Sequence, residues 1–567
     1  MQFEELTQVC ARHGLKTPTF GFLVPDAKLF RCLMLQPAGL VEVNSGGIKC
    51  TDAAFAERFL AFLRLAKTRK ANLAICPEYC CPWDTLEAAL REDLGPAPGD
   101  LWILGCQSIT PAEVRTLNDR LPATAVVFDE NCLKGDGRFL DPAVLLFRNP
   151  DDDAQLILVL QFKTEAMGVS FPTERNDLIR GERGYVVSNE GGASINLVTL
   201  ICSDSLELSW QTSLPQLWTT PTLVVHLQLN PKPRHPDFSA YRSEALRQVS
   251  DEIELMCLNW AAGTTGVIDE GDESPLVQEP HTALYTKSSQ LDLRESRLQE
   301  NHEAGLYFFR WDQKRTTVFV ANDDELCFEL RLSKPSQKVA SALTAKRSGP
   351  QDVVASVWNG TGWKPAAHLP DCTDDLLHEA RLDSIGPISA VDSRMDLERF
   401  LSLSAGEVSR VNWSQPSNLD PCRIETDEVL GRSTCCDNQA GRPRVEKRLA
   451  HVRTLSDIFD SRKGFDAPGM EVLQDASLGF DRHSPSLNIH DDQGPIATGA
   501  YIGTCVSDEA ADRERLKLDS ALGGGYRRTF VWYQLSTGIK CAMGRQHASI
   551  TGVPTSSASI TAPARPK

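Results

Sequence analysis

Residues 195–204 read Ile195-Asn196-Leu197-Val198-Thr199-Leu200-Ile201-Cys202-Ser203-Asp204. The run through Ile201 has the length and near-continuous apolar character of a strand buried on both faces, as in sheets covered by helices. It ends on a thiol followed by two polar residues. Strand ends in α/β folds hold side chains rigidly at the rim of a pocket, so Cys202 stands where a nucleophile would. Alone, a cysteine in that place is more often a small buried apolar residue.

Two other strand ends change that reading. Ala71 to Cys76 forms a strand that Pro77 is expected to stop, and Glu78 follows directly in Cys76-Pro77-Glu78-Tyr79. Leu156 to Phe162 forms another, and Lys163 follows it in Gln161-Phe162-Lys163-Thr164-Glu165. A carboxylate helps convert a thiol to thiolate, and an ammonium stabilises that thiolate. The same ammonium, with the backbone N–H of Ser203 after the cysteine, can hold a developing oxyanion. Cys76, Cys80 and Cys81 lie close together, but no second pair or histidine sits at zinc spacing nearby. They read as buried thiols, and no metal or other cofactor is expected.

Around these motifs, short apolar runs alternate with amphipathic stretches from residue 29 to 332. Strands are expected at Leu29 to Gln36, Leu101 to Gly105, Ala123 to Phe128, Ala143 to Phe147, Leu223 to Leu227, Glu254 to Trp260, Gly305 to Trp311, Thr316 to Ala321 and Leu326 to Leu332. Phe55, Phe59, Leu60, Phe62 and Leu63 recur at helical spacing, Trp83 to Leu94 and Phe238 to Val249 read as helices, and Pro111 suits a first helical turn. This order points to a layered α/β body. Residues 1–28 read as an extension, 333–350 as a linker, 351–550 as a separate mixed or α-rich domain and 551–567 as a disordered tail. In that C-terminal part Val353 to Trp358 and Thr529 to Leu535 suggest strands, and Asp374 to Leu382, Met395 to Leu403 and Lys447 to Phe459 helices. Residues 464–498, rich in Gly, Asp, Pro and Ser, read as loop.

A chain of 567 residues exceeds one core at roughly 150 residues per domain. Its net charge of -17 repels polyanions and makes nucleic acid an unfavoured partner. Lys346-Arg347 and the group Arg442, Arg444, Lys447 and Arg448 are basic clusters that read as solvated faces. The 17 cysteines are odd in number and irregularly spaced, which suits reduced thiols in a cytosolic setting. The acidic start and the lack of a long apolar stretch give neither a signal peptide nor a membrane span, so a cytoplasmic location is expected.

Taken in order, Pro77-Glu78, Lys163-Thr164 and Ile201-Cys202-Ser203-Asp204 resemble the Glu, Lys and Cys motifs of the nitrilase (carbon–nitrogen hydrolase) superfamily. The separations of 85 and 39 residues are compatible with it. Gln36, Glu174-Arg175 with the trailing Gly181, and Asn259 match quieter features, so the resemblance covers about residues 29–332. It departs at Ser203, where an aromatic residue is common, and at Ser205-Leu206-Glu207. The resemblance implies a four-layer α-β-β-α sandwich. It also implies a Glu78-Lys163-Cys202 triad with Glu174 positioning Lys163 or the substrate, and hydrolysis of a small-molecule amide, in preference to a nitrile, through a thioester. A homo-oligomer is expected by the same likeness. Two alternatives stay open. One is an inactive or slow scaffold that binds a protein partner through the C-terminal half, as within a bacterial defence assembly. The other is a relative that passes the acyl group to an amine.

Overall fold

In a computed structural model of the chain, the structure describes residues 1–24, 30–121, 123–167, 172–191, 194–206, 221–247, 253–269, 271–277, 280–287, 306–311, 316–321, 324–332, 336–339, 342–345, 350–365, 400–408, 442–462, 465, 469–481, 484, 486–522 and 528–544. They fall into two compact units. One comprises Met1–Leu376 with Gln415–Glu446, the other Leu377–Ser414 with Lys447–Lys567.

The first unit is mixed α/β and is built on two large sheets. The nine-stranded sheet runs in the order Trp363–Pro365, Pro350–Trp358, Leu326–Leu332, Phe30–Gln36, Leu73–Cys81, Leu101–Cys106, Pro142–Asn149, Asp152–Phe162, Thr124–Val127. The eight-stranded sheet runs Gln2–Glu5, Arg183–Val187, Asn196–Ile201, Thr222–Leu227, Ile253–Leu258, Ala283–Lys287, Thr316–Ala321, Leu306–Trp311. Their central strands read as unbroken apolar runs because both faces are covered. Leu33 and Leu35 face outward into one cluster with Phe55, Phe59 and Phe62 of the helix Phe55–Arg69. From the residue before Leu33, the Cys32 thiol lies 4.0 Å from Met256 Sδ of the second sheet. In the same way Val198 and Leu200 pack with Tyr241 and Ala245 of the helix Pro236–Arg247. The intervening Thr199 offers its carbonyl to Gln161 Nε2 of the first sheet at 2.9 Å. These contacts tie the two sheets to one another, and the helices Phe55–Arg69 and Pro236–Arg247 pack against them.

The strand Leu73–Cys81 does not stop at Pro77. Its pairing with Leu101–Cys106 holds through Cys76 and Leu104, breaks, and resumes at Cys81 and Cys106. The bulge absorbs Pro77, whose missing N–H would have interrupted a regular ladder. Tyr79 inside it has a left-handed φ of 57°. A Cβ on Gly105 would stand 2.1 Å from the Pro77 carbonyl oxygen and 2.7 Å from Glu78 Cα. Only glycine there lets the bulge lie against its neighbour and turn Glu78 inward.

Three expected boundaries move. Residues 1–28 are not a mere extension, since Gln2–Glu5 pairs in parallel with Arg183–Val187. Its acidic residues and short length hid it. Val353 to Trp358 belongs to the first unit, in a strand Pro350–Trp358 that pairs antiparallel with Leu326–Leu332. The expected linker contains the antiparallel strands Ser336–Val339 and Ala342–Ala345, which lie within the first unit and not at a unit boundary. The tail from 551, Asp374 to Leu382 and Lys346-Arg347 lie outside the described residues.

In the second unit, Ser477–Leu478, Ile489–Asp491, Gly494–Thr504, Thr529–Leu535 and Gly538–Met543 form a five-stranded sheet. The helix Asp508–Ala521 links the parallel pair Gly494–Thr504 and Thr529–Leu535, with Leu518, Leu522, Ala500, Val531 and Leu403 in one core. Residues 464–498 thus contain strands where loop was expected. Those strands are short and rely on pairing to Gly494–Thr504, which no local pattern announces. Residues 400–404 are helical, and Arg442–Ser461 is a helix. On it Arg448 is 1% exposed and donates to Glu407 Oε2 at 3.0 Å, so that position is not a solvated face. Among the described residues no helix is long and apolar enough to cross a membrane.

Gly105→Ala is expected to lower the midpoint of thermal unfolding by several degrees, because overpacking against backbone costs about 1–3 kcal/mol. Gly263→Ala, whose added Cβ would meet only Ala38 Cβ at 3.8 Å, serves as the near-neutral control.

Candidate active site

The bulge, the end of the strand Asp152–Phe162 and the helix Pro172–Asp177 bring three predicted residues into contact. Lys163 Nζ donates to Glu78 Oε1 at 2.6 Å and to both Glu174 oxygens at 2.8 Å. All three side chains are at most 1% exposed. Burial works against the ammonium, but Glu174 and Glu78 outweigh it and hold its pKa well above the usual lysine value. Burial pushes the Glu78 carboxyl up, and Lys163 opposes that rise.

Each of these groups has a second tether. Glu78 Oε2 accepts from the backbone N–H of Leu229 at 2.6 Å. Asn259 sets that loop, donating to the Asn230 carbonyl at 2.9 Å and accepting from the Asn230 N–H at 3.0 Å. Glu174 accepts from the Tyr79 hydroxyl at 2.8 Å and from the Met167 N–H at 2.7 Å. A Cβ on Gly181 would lie 2.3 Å from the Phe162 carbonyl oxygen, and the Gly181 N–H donates to the Lys163 carbonyl at 2.7 Å. Gly181 is the residue that allows its segment to lie against the Lys163 strand. Gln36 Nε2 donates to the Asp324 carbonyl at 2.7 Å, away from these contacts.

Cys202 follows the strand Asn196–Ile201 and opens a 3-10 turn, Cys202–Leu206. Its φ of 41° is left-handed, a strained state for a non-glycine residue. Asp204 holds the turn to the Lys163 strand end. Its Oδ1 accepts from the Thr164 N–H at 2.7 Å, the Thr164 hydroxyl at 2.8 Å and the Glu165 N–H at 3.1 Å, and its Oδ2 from the Ile201 N–H at 3.1 Å. Burial still leaves its pKa at about 6. Ser203 spends its hydroxyl on the Glu165 carbonyl. The Cys202 thiol is fully buried, 3.6 Å from Met167 Sδ. Burial first, then the charge of Glu78, push its pKa well above the usual thiol value, and Lys163 pulls the other way. At rest it is a thiol that needs a base to ionise it.

Three further residues at this site escaped the reading of the sequence. Tyr79 is hidden by its bulge. Asp141, just before the strand Pro142–Asn149, carries no local signal, yet it is fully buried with Oδ2 3.7 Å from Lys163 Nζ. Glu78, Asp141 and Glu174 are grouped closely enough to hold a metal ion, but the group they share is the Lys163 ammonium. His226 was visible as one imidazole within the apolar strand Thr222–Leu227. Its Nε2 lies 2.8 Å from the Cys202 carbonyl oxygen, and its Nδ1 is in a short contact with the Tyr241 hydroxyl, itself 3.3 Å from Cys257 Sγ. The carbonyl can only accept, so the proton sits on Nε2 and Nδ1 accepts from Tyr241. Burial drives the His226 pKa down to about 3, which keeps the ring neutral.

No family model and no curated protein sequence matches the chain. Solved structures do align with it. A glutamine-dependent NAD+ synthetase from Acinetobacter baumannii is 14% identical over 62% of this chain and 53% of its own, with a TM-score of 0.32. The chain thus spans about half the length of that synthetase. An amidase from Nesterenkonia sp. is 14% identical over 54% of this chain and 95% of its own, TM-score 0.27. A CN-hydrolase superfamily protein from Xanthomonas campestris is 14% identical over 45% of this chain and 82% of its own, TM-score 0.27.

Two outcomes test the site's construction. Lys163→Met strands buried carboxylates without their cation, and such a loss costs about 3–5 kcal/mol, read as a fall in the denaturation midpoint. His226→Gln should flatten the acid side of the stability profile. The folded chain refuses a proton at His226 until about pH 3, while the unfolded chain accepts it near pH 6.5. Stability is therefore lost as pH falls below 6.5. Between pH 7 and 5 the variant should lose about 2 kcal/mol less than the parent in urea titrations.

Proposed function

We propose that the first unit is a nitrilase-superfamily C–N hydrolase that cleaves an amide, in preference to a nitrile, through a thioester on Cys202. The observation that carries this reading is the Lys163 ammonium clasped by Glu78 and Glu174 beside a buried, backbone-strained cysteine. The mixed α/β architecture with two large sheets in contact supports this reading, of which the four-layer α-β-β-α sandwich of that superfamily is a part.

The chemistry follows from the protonation states. Glu78 takes the Cys202 S–H proton as sulfur bonds to the amide carbon. The carbonyl electrons move to oxygen, and Lys163 and the Ser203 backbone N–H stabilise that oxyanion. Glu174, by engaging Lys163, keeps the ammonium charged and aimed. Collapse breaks the C–N bond, and Glu78 returns its proton to the departing nitrogen. A water then gives a proton to Glu78 and attacks the thioester carbonyl. The C–S bond breaks, Cys202 recovers the proton and the acid leaves. The burial of these groups strengthens each electrostatic step, since little water competes. No step calls on a metal or other cofactor. Homo-oligomerisation, a cytoplasmic setting and a protein partner for the second unit complete the proposal.

The test is ammonia release from a panel of primary amides and the matching nitriles, paired with intact-mass analysis. Cys202→Ala should abolish release and leave the far-ultraviolet circular dichroism unchanged, and an acyl adduct should map to Cys202. Full activity in that variant, or an adduct on another cysteine, would overturn the assignment.

A further inference from the structure

Asp141 is the one member of the carboxyl group that Lys163 does not hydrogen-bond. Its position is set by the backbone, since the Lys163 N–H donates to the Asp141 carbonyl at 2.9 Å. Its side chain is fully buried, and among the described residues neither carboxyl oxygen meets an N–H or hydroxyl donor. Oδ2 stands 3.7 Å from Lys163 Nζ, beyond a hydrogen bond, while Nζ spends its bonds on Glu78 and Glu174. Carboxyl oxygens of Glu78, Asp141 and Glu174 lie within 4.8 Å of one another. The groups facing this space are Glu78 and Tyr79 from the bulge, Lys163 from its strand end, Glu174 from its helix and Cys202 from its turn. Three ionised carboxylates against one ammonium would leave two uncompensated negative charges sealed from water, which like charges at this range do not tolerate.

We propose that Asp141 is a neutral acid whose O–H donates to Glu78, so that the base of this site is a Glu78–Asp141 pair sharing one proton at rest. A contact between two carboxyl groups becomes attractive only when one of them carries a proton. Glu78 already receives Lys163 and the Leu229 N–H, so it is the partner held as carboxylate, and Asp141 keeps the proton. Burial, with Glu78 beside it, pushes Asp141 in that same direction. When Glu78 takes the Cys202 proton both carboxyls become neutral, and the negative charge has moved to sulfur with no change in the total. Asp141 is thus a positioning residue that acts through Glu78 and sets its strength as a base. That role rests on the hydrolase reading above, whereas the location of the proton does not.

The experiment is an infrared difference spectrum of the full chain against Asp141→Asn in heavy water near neutral pD. The parent should show a protonated-carboxyl C=O band, above the carboxylate and amide bands, which the variant lacks. Asp141→Ser serves as the same blank should the asparagine variant not accumulate. Alkylation of Cys202 by iodoacetamide, followed against pH, is the second readout. Asparagine is neutral and can still donate to Glu78, so the pH midpoint should stay in place. An ionised Asp141 would instead give no band, and its replacement would lower the midpoint by about a unit or more through loss of a like charge. Either result overturns the proposal. Neither readout needs turnover, so a band present in a chain that cleaves no amide would sink the hydrolase reading alone.

Discussion

The first unit is organised around one buried ammonium. Lys163 cannot leave water without compensation, and Glu78 and Glu174 supply it from a bulge and a short helix that are far apart in the chain. The ammonium in turn makes it tolerable to bury those carboxylates. Because removal of any partner leaves an uncompensated charge, the three segments are bound to one geometry. Asp141 marks the limit of this arrangement, as a single cation balances fewer carboxylates than the pocket contains.

Around that centre the structure uses close backbone approach and satisfied polar groups to hold unfavourable conformations. Tyr79 and Cys202 both take left-handed backbone angles. Glycine at 105 gives the Tyr79 bulge room, and the Tyr79 hydroxyl then anchors Glu174. Asp204 ties the Cys202 turn to the Lys163 strand end, and neutral His226 holds the Cys202 carbonyl from the neighbouring strand. Strain at the cysteine is thus paid for by hydrogen bonds on both sides of it. The distances among Glu78, Lys163 and Cys202 are set by these supports as much as by the sheets.

The linear sequence by itself determined the apolar strands, the helix Phe55–Arg69, and the placing of Lys163 and Cys202 at strand ends, whereas it ended the strand before Glu78 at Pro77 and the structure carries that strand through a bulge to Cys81. Periodicity and residue type are local properties, and a strand buried on both faces needs no partner to be recognised. Glu174 came from likeness of pattern, not from its own surroundings. What only the tertiary structure decided is who meets whom. The Pro77 bulge depends on a glycine in another strand, Asp141 is a pocket residue only because its strand lies beside that of Lys163, and His226 matters because its strand pairs with the one ending at Cys202. The strand Pro350–Trp358 joined the first unit for the same reason, since its place rests on hydrogen bonds to Leu326–Leu332. Pairing across long separations and the ionisation of buried groups are properties of the packed molecule, and no window along the chain contains them.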